Sequence, residues 1–173
     1  ELENQTNIDL WGGFCDADKT RKWERDTIVN VFSVSKAITA ICLGRLIERG
    51  LININLAVRD YWPEFGCNGK ETITVKQLLN HTAGMFAFRE GIPIDNWQDW
   101  NQYTRLLEAQ SIYHEPGQSQ AYHALTFGWL IGELIKRVDG RTVGEYFRDE
   151  VSQPLNIDFK IDVIILFNYL KFK

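Results

Sequence analysis

The chain has 173 residues, of which 45% are hydrophobic, 13% aromatic and 24% charged. This composition fits one globular domain with a sizeable core and excludes wholesale disorder. The formal net charge is −4 and no cluster of Lys and Arg stands out, which argues against a nucleic-acid partner because phosphate binding requires a basic face.

In the first part of the chain, residues 8–15 are predicted as a strand broken by glycines, and residues 27–32 as a strand or an extended approach. Residues 16–25 between them are polar and predict a turn. A helix is predicted from residue 33 to residue 49. It is apolar on nearly every face at its start, so we expect it to be buried, and Gly50 suits the position after its end.

The second part is predominantly helical. Thr74 with Gln77, and Thr142 with Glu145, form two capping boxes, each of which predicts the start of a short helix. Pro154 stops the second of these. Two further helices are predicted at residues 96–110, where Trp97, Trp100, Tyr103 and Leu107 form a core stripe at helical spacing, and at residues 124–137.

The cysteines and the chain ends bear on metals and compartment. Cys15, Cys42 and Cys67 show no C-x-x-C spacing, so we expect neither a metal site nor a disulfide framework. No signal peptide is evident at the N-terminus, and the apolar run at residues 163–167 is far shorter than the roughly 20 residues of a membrane span. An intracellular location is therefore slightly favoured. Because the chain begins without Met, we expect that it starts inside a longer protein.

The tetrapeptide Ser33-Val34-Ser35-Lys36 carries the chemistry. On a helix, positions i and i+3 share a face, so the Lys36 amine can reach the Ser33 hydroxyl. A serine hydroxyl becomes a good nucleophile when a base takes its proton, and a lysine is a base only when neutral, so its pKa must fall from about 10.4. An N-cap serine beside a solvated lysine would give the same tetrapeptide.

The wider context resembles the β-lactamase/penicillin-binding-protein superfamily of serine hydrolases. Residues 31–40 are similar to the nucleophile motif of this superfamily. Residues 78–84 are similar to its Leu-Leu-x-His-Thr-Ser-Gly block, with Ala83 in place of Ser. Glu115-Pro116-Gly117, followed by Tyr122, is similar to its Pro-Gly…Tyr-x-Asn region. The resemblance covers roughly residues 8–160. Residues 60–70 resemble a eukaryotic β-lactamase domain-containing group more than the antibiotic-resistance enzymes.

This resemblance implies a fold and a site. We expect an α/β chain with the β-lactamase/DD-peptidase-like fold, an antiparallel sheet with flanking helices and a helical subdomain, from which the C-terminal sheet strands are missing. We expect a partial hydrolase domain at residues 1–160 and a divergent tail at residues 161–173. By resemblance to the class C and esterase branches, Ser33 is the nucleophile, Lys36 the base and Tyr122 the proton shuttle, acting on a small-molecule ester or amide without a metal or an organic cofactor. The Ser33 backbone N–H is expected in the oxyanion hole.

Three departures from the family pattern qualify the expected activity. Ala124 replaces the Asn of Tyr-x-Asn, which in β-lactamases contacts the amide side chain of the substrate, and this favours an esterase or an unusual peptidase. His123 beside it is expected to face solvent or to cap. The third motif, a Lys-Thr-Gly or His-x-Gly strand, is absent from the chain, and residues 162–173 do not resemble the family's continuation.

Other interpretations compete with this one. His81 is expected to be a structural hydrogen-bonding residue rather than a base. Gly117-Gln118-Ser119-Gln120-Ala121 approaches the nucleophile elbow of α/β-hydrolases, but no strand is evident before it. From a different class, the chain would be a catalytically inactive truncated fragment, or a scaffold that associates with itself.

Overall fold

The computed structural model describes residues 8–91 and 99–161. The chain divides into two units, residues 1–31 and residues 32–173. Among the described residues, no helix has the length and apolar character needed to cross a membrane.

In the first unit, residues 13–23 fold back on themselves around Asp16. Its carboxylate accepts hydrogen bonds from the backbone N–H of Thr20 at 2.8 Å and of Arg21 at 3.0 Å, which confirms the predicted polar turn. Within residues 8–31, one isolated antiparallel bridge pairs Phe14 with Lys22. The strand predicted at residues 8–15 is therefore wrong beyond this bridge, because the backbone leaves the extended conformation at Gly13, where φ is +101°.

No strand forms at residues 27–32 either. None of these residues is assigned to a strand or a bridge, and the backbone turns sharply at Phe32, where φ is +46°. Of the two possibilities that the sequence left open, only an extended approach to the first helix remains.

The described part of the second unit contains five α-helices, and their bounds confirm the predicted helices to within a few residues. Trp97 lies outside the described residues. The helices are α1 (Val34–Glu48), α2 (Val75–Leu79), α3 (Trp100–Ala109), α4 (Thr126–Asp139) and α5 (Val143–Phe147). Short 3-10 turns at Val58–Asp60 and Pro63–Phe65 follow α1, and a π-helical turn at Arg148–Ser152 continues α5.

The core forms around α4, which packs against α1, α2, α3 and α5. Close approach of α3 and α4 depends on Gly132, since a Cβ atom there would lie 2.6 Å from the Trp100 ring. The Trp100 indole N–H then donates to the buried Glu133 carboxylate at 2.6 Å. A small residue and a satisfied polar contact thus fix the two helices side by side.

Helix α1 is buried on one side only. Its buried residues are Thr39, Cys42, Leu43 and Leu46, at the i, i+3, i+4, i+7 spacing of a single helical face. Ile41, on another face, keeps 52% of its surface exposed. The expectation that this helix is buried on nearly every face is therefore wrong for the described chain, which packs against one face of it.

Lys70 is a fully buried cation that stabilises the end of α3. Its ammonium group donates to the carbonyl oxygens of Glu108 at 3.0 Å and of Gln110 at 2.5 Å. Desolvation by burial lowers the pKa of Lys70. The lysine supplies donors to carbonyls that the helix itself leaves without intrahelical partners.

Candidate active site

The first turn of α1 brings Ser33 and Lys36 into contact. Ser33 is the residue that precedes the helix, and the Lys36 backbone N–H donates to its carbonyl oxygen at 3.1 Å. The Lys36 ammonium donates to the Ser33 hydroxyl oxygen, also at 3.1 Å. The i, i+3 spacing therefore produces the serine–lysine contact that the sequence predicted.

The turn before α1 distinguishes the two serines of the tetrapeptide. The Phe32 carbonyl oxygen accepts hydrogen bonds from the Ser35 backbone N–H at 3.1 Å and from the Ser35 hydroxyl at 2.6 Å. The Ser35 side chain is thus directed at this turn, whereas the exposed Ser33 hydroxyl contacts Lys36. Of the two hydroxyls, Ser33 is the one in contact with a candidate base.

Tyr122 reaches the same two side chains from the loop before α4. Hydrogen bonds with the Ser33 and Lys36 side chains, together with the positive charge of Lys36, lower the pKa of the Tyr122 phenol below its ordinary value. The Lys36 nitrogen lies 5.1 Å from the centroid of the Tyr122 ring. All three residues proposed from the sequence therefore meet at one place, and Tyr122 remains 53% exposed there.

Backbone hydrogen bonds between two loops carry Tyr122 to this place. Gly117 donates to the Thr82 carbonyl at 2.8 Å, and Tyr113 donates to the Gly84 carbonyl at 2.9 Å. Gly84 has φ of +71°, and a Cβ atom there would lie 2.3 Å from the carbonyl oxygen of His114. Only glycine fits this contact between the loop after α2 and the loop before α4.

Two histidines lie behind Tyr122. The His81 ring centroid is 4.9 Å from that of Tyr122 and 5.2 Å from that of His123. Desolvation, followed by the charge of Lys36, lowers the pKa of His81. His81 accepts a hydrogen bond from the His123 backbone N–H, which agrees with the structural role expected for His81. The sequence did not predict that His81 lies beside Tyr122, because the two residues are distant along the chain.

The expectation that His123 faces solvent or caps is wrong. Its side chain is fully buried, and this burial lowers its pKa to about 4. Its Nδ1 atom lies 2.8 Å from the Ala121 carbonyl oxygen, while Nε2 has no hydrogen-bond partner among the described residues. Next to it, Ala124 is exposed and presents no side-chain amide, as the sequence indicated.

The α/β-hydrolase elbow has no structural support in the described chain. Ser119 is exposed, no strand precedes it there, and α4 begins only at Thr126. A groove of about 880 Å³ lies elsewhere, along α5 and residues 156–161, and none of the candidate site residues lines it. No group of three or more His, Cys, Asp or Glu side chains within residues 8–91 and 99–161 is placed to hold a metal ion.

Comparison with known proteins identifies the family. The beta-lactamase family model matches residues 3–160. The chain belongs to the beta-lactamase family. Its predicted membership is confirmed at the level of β-lactamase-fold hydrolases, while the likeness of residues 60–70 to a eukaryotic group and the boundary at residue 160 stay predictions.

Individual relatives show the range of this family. The chain is 38% identical to the esterase/beta-lactamase LipL of Mycobacterium tuberculosis over 160 residues, which are 91% of this chain and 36% of LipL. A family VIII carboxylesterase structure matches with a TM-score of 0.80 at 41% identity, over 84% of this chain and 40% of that one. A penicillin-binding protein homolog from Caulobacter crescentus matches with a TM-score of 0.84 at 37% identity, over 88% and 41% of the two chains.

These likenesses confirm the predicted fold class, and the described residues form a largely helical part of it. The chain spans about two fifths or less of the length of these relatives.

Proposed function

We propose that this chain carries the nucleophile and the base of a serine hydrolase that cleaves esters or amides through a covalent Ser33 acyl-enzyme. The observation that carries the proposal is the hydrogen bond of the Lys36 ammonium to the Ser33 hydroxyl at 3.1 Å, with the Tyr122 ring centroid 5.1 Å from the same Lys36 nitrogen. A nucleophile in contact with one titratable side chain and close to a second is the arrangement that covalent catalysis requires. The esterase and β-lactamase names of the relatives support the same class of reaction.

The proposed reaction begins with attack of the Ser33 oxygen on the substrate carbonyl carbon. As the new C–O bond forms, the hydroxyl proton passes to the Lys36–Tyr122 pair, and the negative charge collects on the carbonyl oxygen. The Ser33 backbone N–H is the proposed donor to this oxyanion. The pair then returns the proton to the leaving alcohol or amine, and water releases the acyl group by the reverse steps.

Esters are the proposed substrate class. In the branch with the Tyr-x-Asn motif, the Asn contacts the amide side chain of a β-lactam, whereas Ala124 at this position is exposed and has no hydrogen-bonding group on its side chain. A site that lacks a polar partner for a buried amide discriminates against substrates that need one. The carboxylesterase likeness supports the same preference.

Covalent labelling provides the direct test. The chain is incubated with a fluorophosphonate probe, and labelling is read by intact mass and peptide mapping, with hydrolysis of p-nitrophenyl acetate and nitrocefin measured in parallel. We expect one label on Ser33 and faster turnover of the ester than of nitrocefin. Labelling and ester turnover should both be lost in Ser33→Ala and in Lys36→Ala. Ser119→Ala is the matched control, because this exposed serine belongs to the rival elbow and should label at the parent rate.

Tyr122→Phe tests the third member of the site. General acid–base groups contribute about 100-fold or more to such steps, so labelling of Ser33 should slow by roughly that factor. Because the pKa of Tyr122 is lowered, its phenolate forms at a lower pH than an ordinary phenolate. The labelling rate of the parent should therefore rise with pH below the usual phenol range, and the Tyr122→Phe variant should lack this rise.

An unlabelled Ser33 in folded protein would refute the enzymatic proposal for this chain. The alternative of a catalytically inactive fragment or a self-associating scaffold would then lead. Sedimentation of the same sample would separate these two, since a scaffold forms defined oligomers and an inactive monomer does not.

A further inference from the structure

His81 adopts a backbone conformation that few side chains tolerate. It follows α2 with φ of +64°, in the left-handed region that glycine adopts freely and that asparagine, aspartate and histidine enter more often than other side chains. A histidine in this region carries a conformational cost, and such costs persist where the surrounding contacts compensate for them. The contacts of His81 therefore indicate what the residue does.

Those contacts hold Tyr122 from both sides. The carbonyl oxygen of His81 accepts a hydrogen bond from the Ala121 backbone N–H at 3.1 Å. Its ring Nδ1 accepts another from the His123 backbone N–H at 3.2 Å. The residue before Tyr122 and the residue after it are thus bound to the same histidine, and the His81 ring packs edge-on against the Tyr122 ring.

We propose that His81 is a positioning residue for Tyr122, which it holds beside Ser33 and Lys36 by accepting hydrogen bonds from the backbone N–H groups of the residue before Tyr122 and the residue after it. The inference rests on the proposed function for its catalytic consequence, while the placement of Tyr122 is a separate, measurable property.

In the parent protein, the hydrogen bond accepted by Nδ1 requires the imidazole of His81 to be neutral. Nδ1 accepts a hydrogen bond only when it carries no proton, so the hydrogen-bonding pattern assigns the ring proton to Nε2. The surroundings favour this state, because desolvation and the facing Lys36 ammonium both disfavour an imidazolium. The side chains that face the ring are those of Tyr122, the buried His123, the apolar Phe127 and Lys36.

Two substitutions separate positioning from general packing. In His81→Asn, the side-chain carbonyl oxygen is bonded to Cγ, as Nδ1 is in histidine, so the acceptor for His123 is kept. In His81→Gly, this acceptor is lost. Both substitutions relieve the left-handed strain, so both proteins should fold at least as stably as the parent in this respect. A merely structural role predicts that the two variants behave alike.

The first measurement is the titration of the Tyr122 phenol, read as the difference in ultraviolet absorbance between each protein and its Tyr122→Phe counterpart. We expect His81→Asn to titrate like the parent. We expect the Tyr122 midpoint in His81→Gly to move up towards that of an ordinary phenol, because the contacts with Ser33 and Lys36 are weakened. The second measurement is the rate of fluorophosphonate labelling of Ser33. A misplacement of a catalytic group by about 1 Å lowers a reaction rate on the order of 100-fold, so we expect the labelling rate of His81→Gly to fall at least about tenfold.

The outcomes distinguish the two proposals. Equal Tyr122 titration in the parent, His81→Asn and His81→Gly would overturn the positioning role, whether or not Ser33 is labelled. If the Tyr122 midpoint differs between His81→Gly and His81→Asn but Ser33 is not labelled in any of the proteins, the positioning role is supported and the proposed function is refuted. Slow labelling in His81→Gly with rescue in His81→Asn supports both.

Discussion

Gly84→Ala should be more harmful than an ordinary substitution of a left-handed glycine. Alanine at a φ of +71° costs about 1–2 kcal/mol by itself. Its Cβ would also lie 2.3 Å from the His114 carbonyl oxygen, which is backbone and can move only with its loop. Overpacking of this kind adds about 1–3 kcal/mol, so we expect a loss of about 2–5 kcal/mol in the free energy of unfolding.

Gly140→Ala is the matched control. Gly140 has φ of +91° at the end of α4, and a Cβ atom there would meet nothing within 4 Å, so it carries the conformational cost of about 1–2 kcal/mol alone. Urea unfolding followed by circular dichroism gives both values. If Gly84→Ala proved no more destabilising than Gly140→Ala, the close approach between the two loops would contribute nothing to stability, contrary to this prediction.

Two further pairs test the packing of the helices by urea unfolding. Gly132→Ala should cost about 1–3 kcal/mol because its Cβ would lie 2.6 Å from the Trp100 ring, whereas Gly128→Ala on the same helix, with nothing within 4 Å, should stabilise by about 1 kcal/mol. Lys70→Met should cost about 2 kcal/mol or more because it removes the lysine donor from the buried Gln110 carbonyl oxygen and leaves the Glu108 carbonyl oxygen with the weak thiol donor of Cys67. The exposed Lys76→Met should change the free energy of unfolding by less than about 0.5 kcal/mol. Equal effects within either pair would contradict the structural explanation.

The features predicted correctly from the sequence are those set by neighbouring residues. The contact of Ser33 with Lys36 follows from the i, i+3 geometry of one helical turn. The capping boxes at Thr74 and Thr142 form as predicted, because each depends on two side chains three positions apart. Local patterns also placed the helices to within a few residues.

The features that were missed depend on residues distant in sequence. The strand predicted at residues 8–15 had suitable residue types, but among the described residues its pairing is limited to one bridge. The buried His123 ring lies beside the ring of His81, which is 42 positions away in sequence, and no local pattern encodes this contact. The exposed face of α1 at Ile41 was likewise invisible, since composition reports how apolar a helix is and not which neighbours cover it.

The candidate site therefore has two parts that should fail independently. The Ser33–Lys36 contact is made within a single turn of α1, so changes in the loops around Tyr122 should leave it intact. The Tyr122 contact depends on hydrogen bonds between those loops, including the two that His81 accepts. Loop variants such as His81→Gly and Gly84→Ala should accordingly label Ser33 as slowly as Tyr122→Phe does, but not lose labelling as Lys36→Ala does. A loop variant that abolished labelling altogether while remaining folded would show that the loops also support the serine–lysine pair, and the division of the site would be wrong.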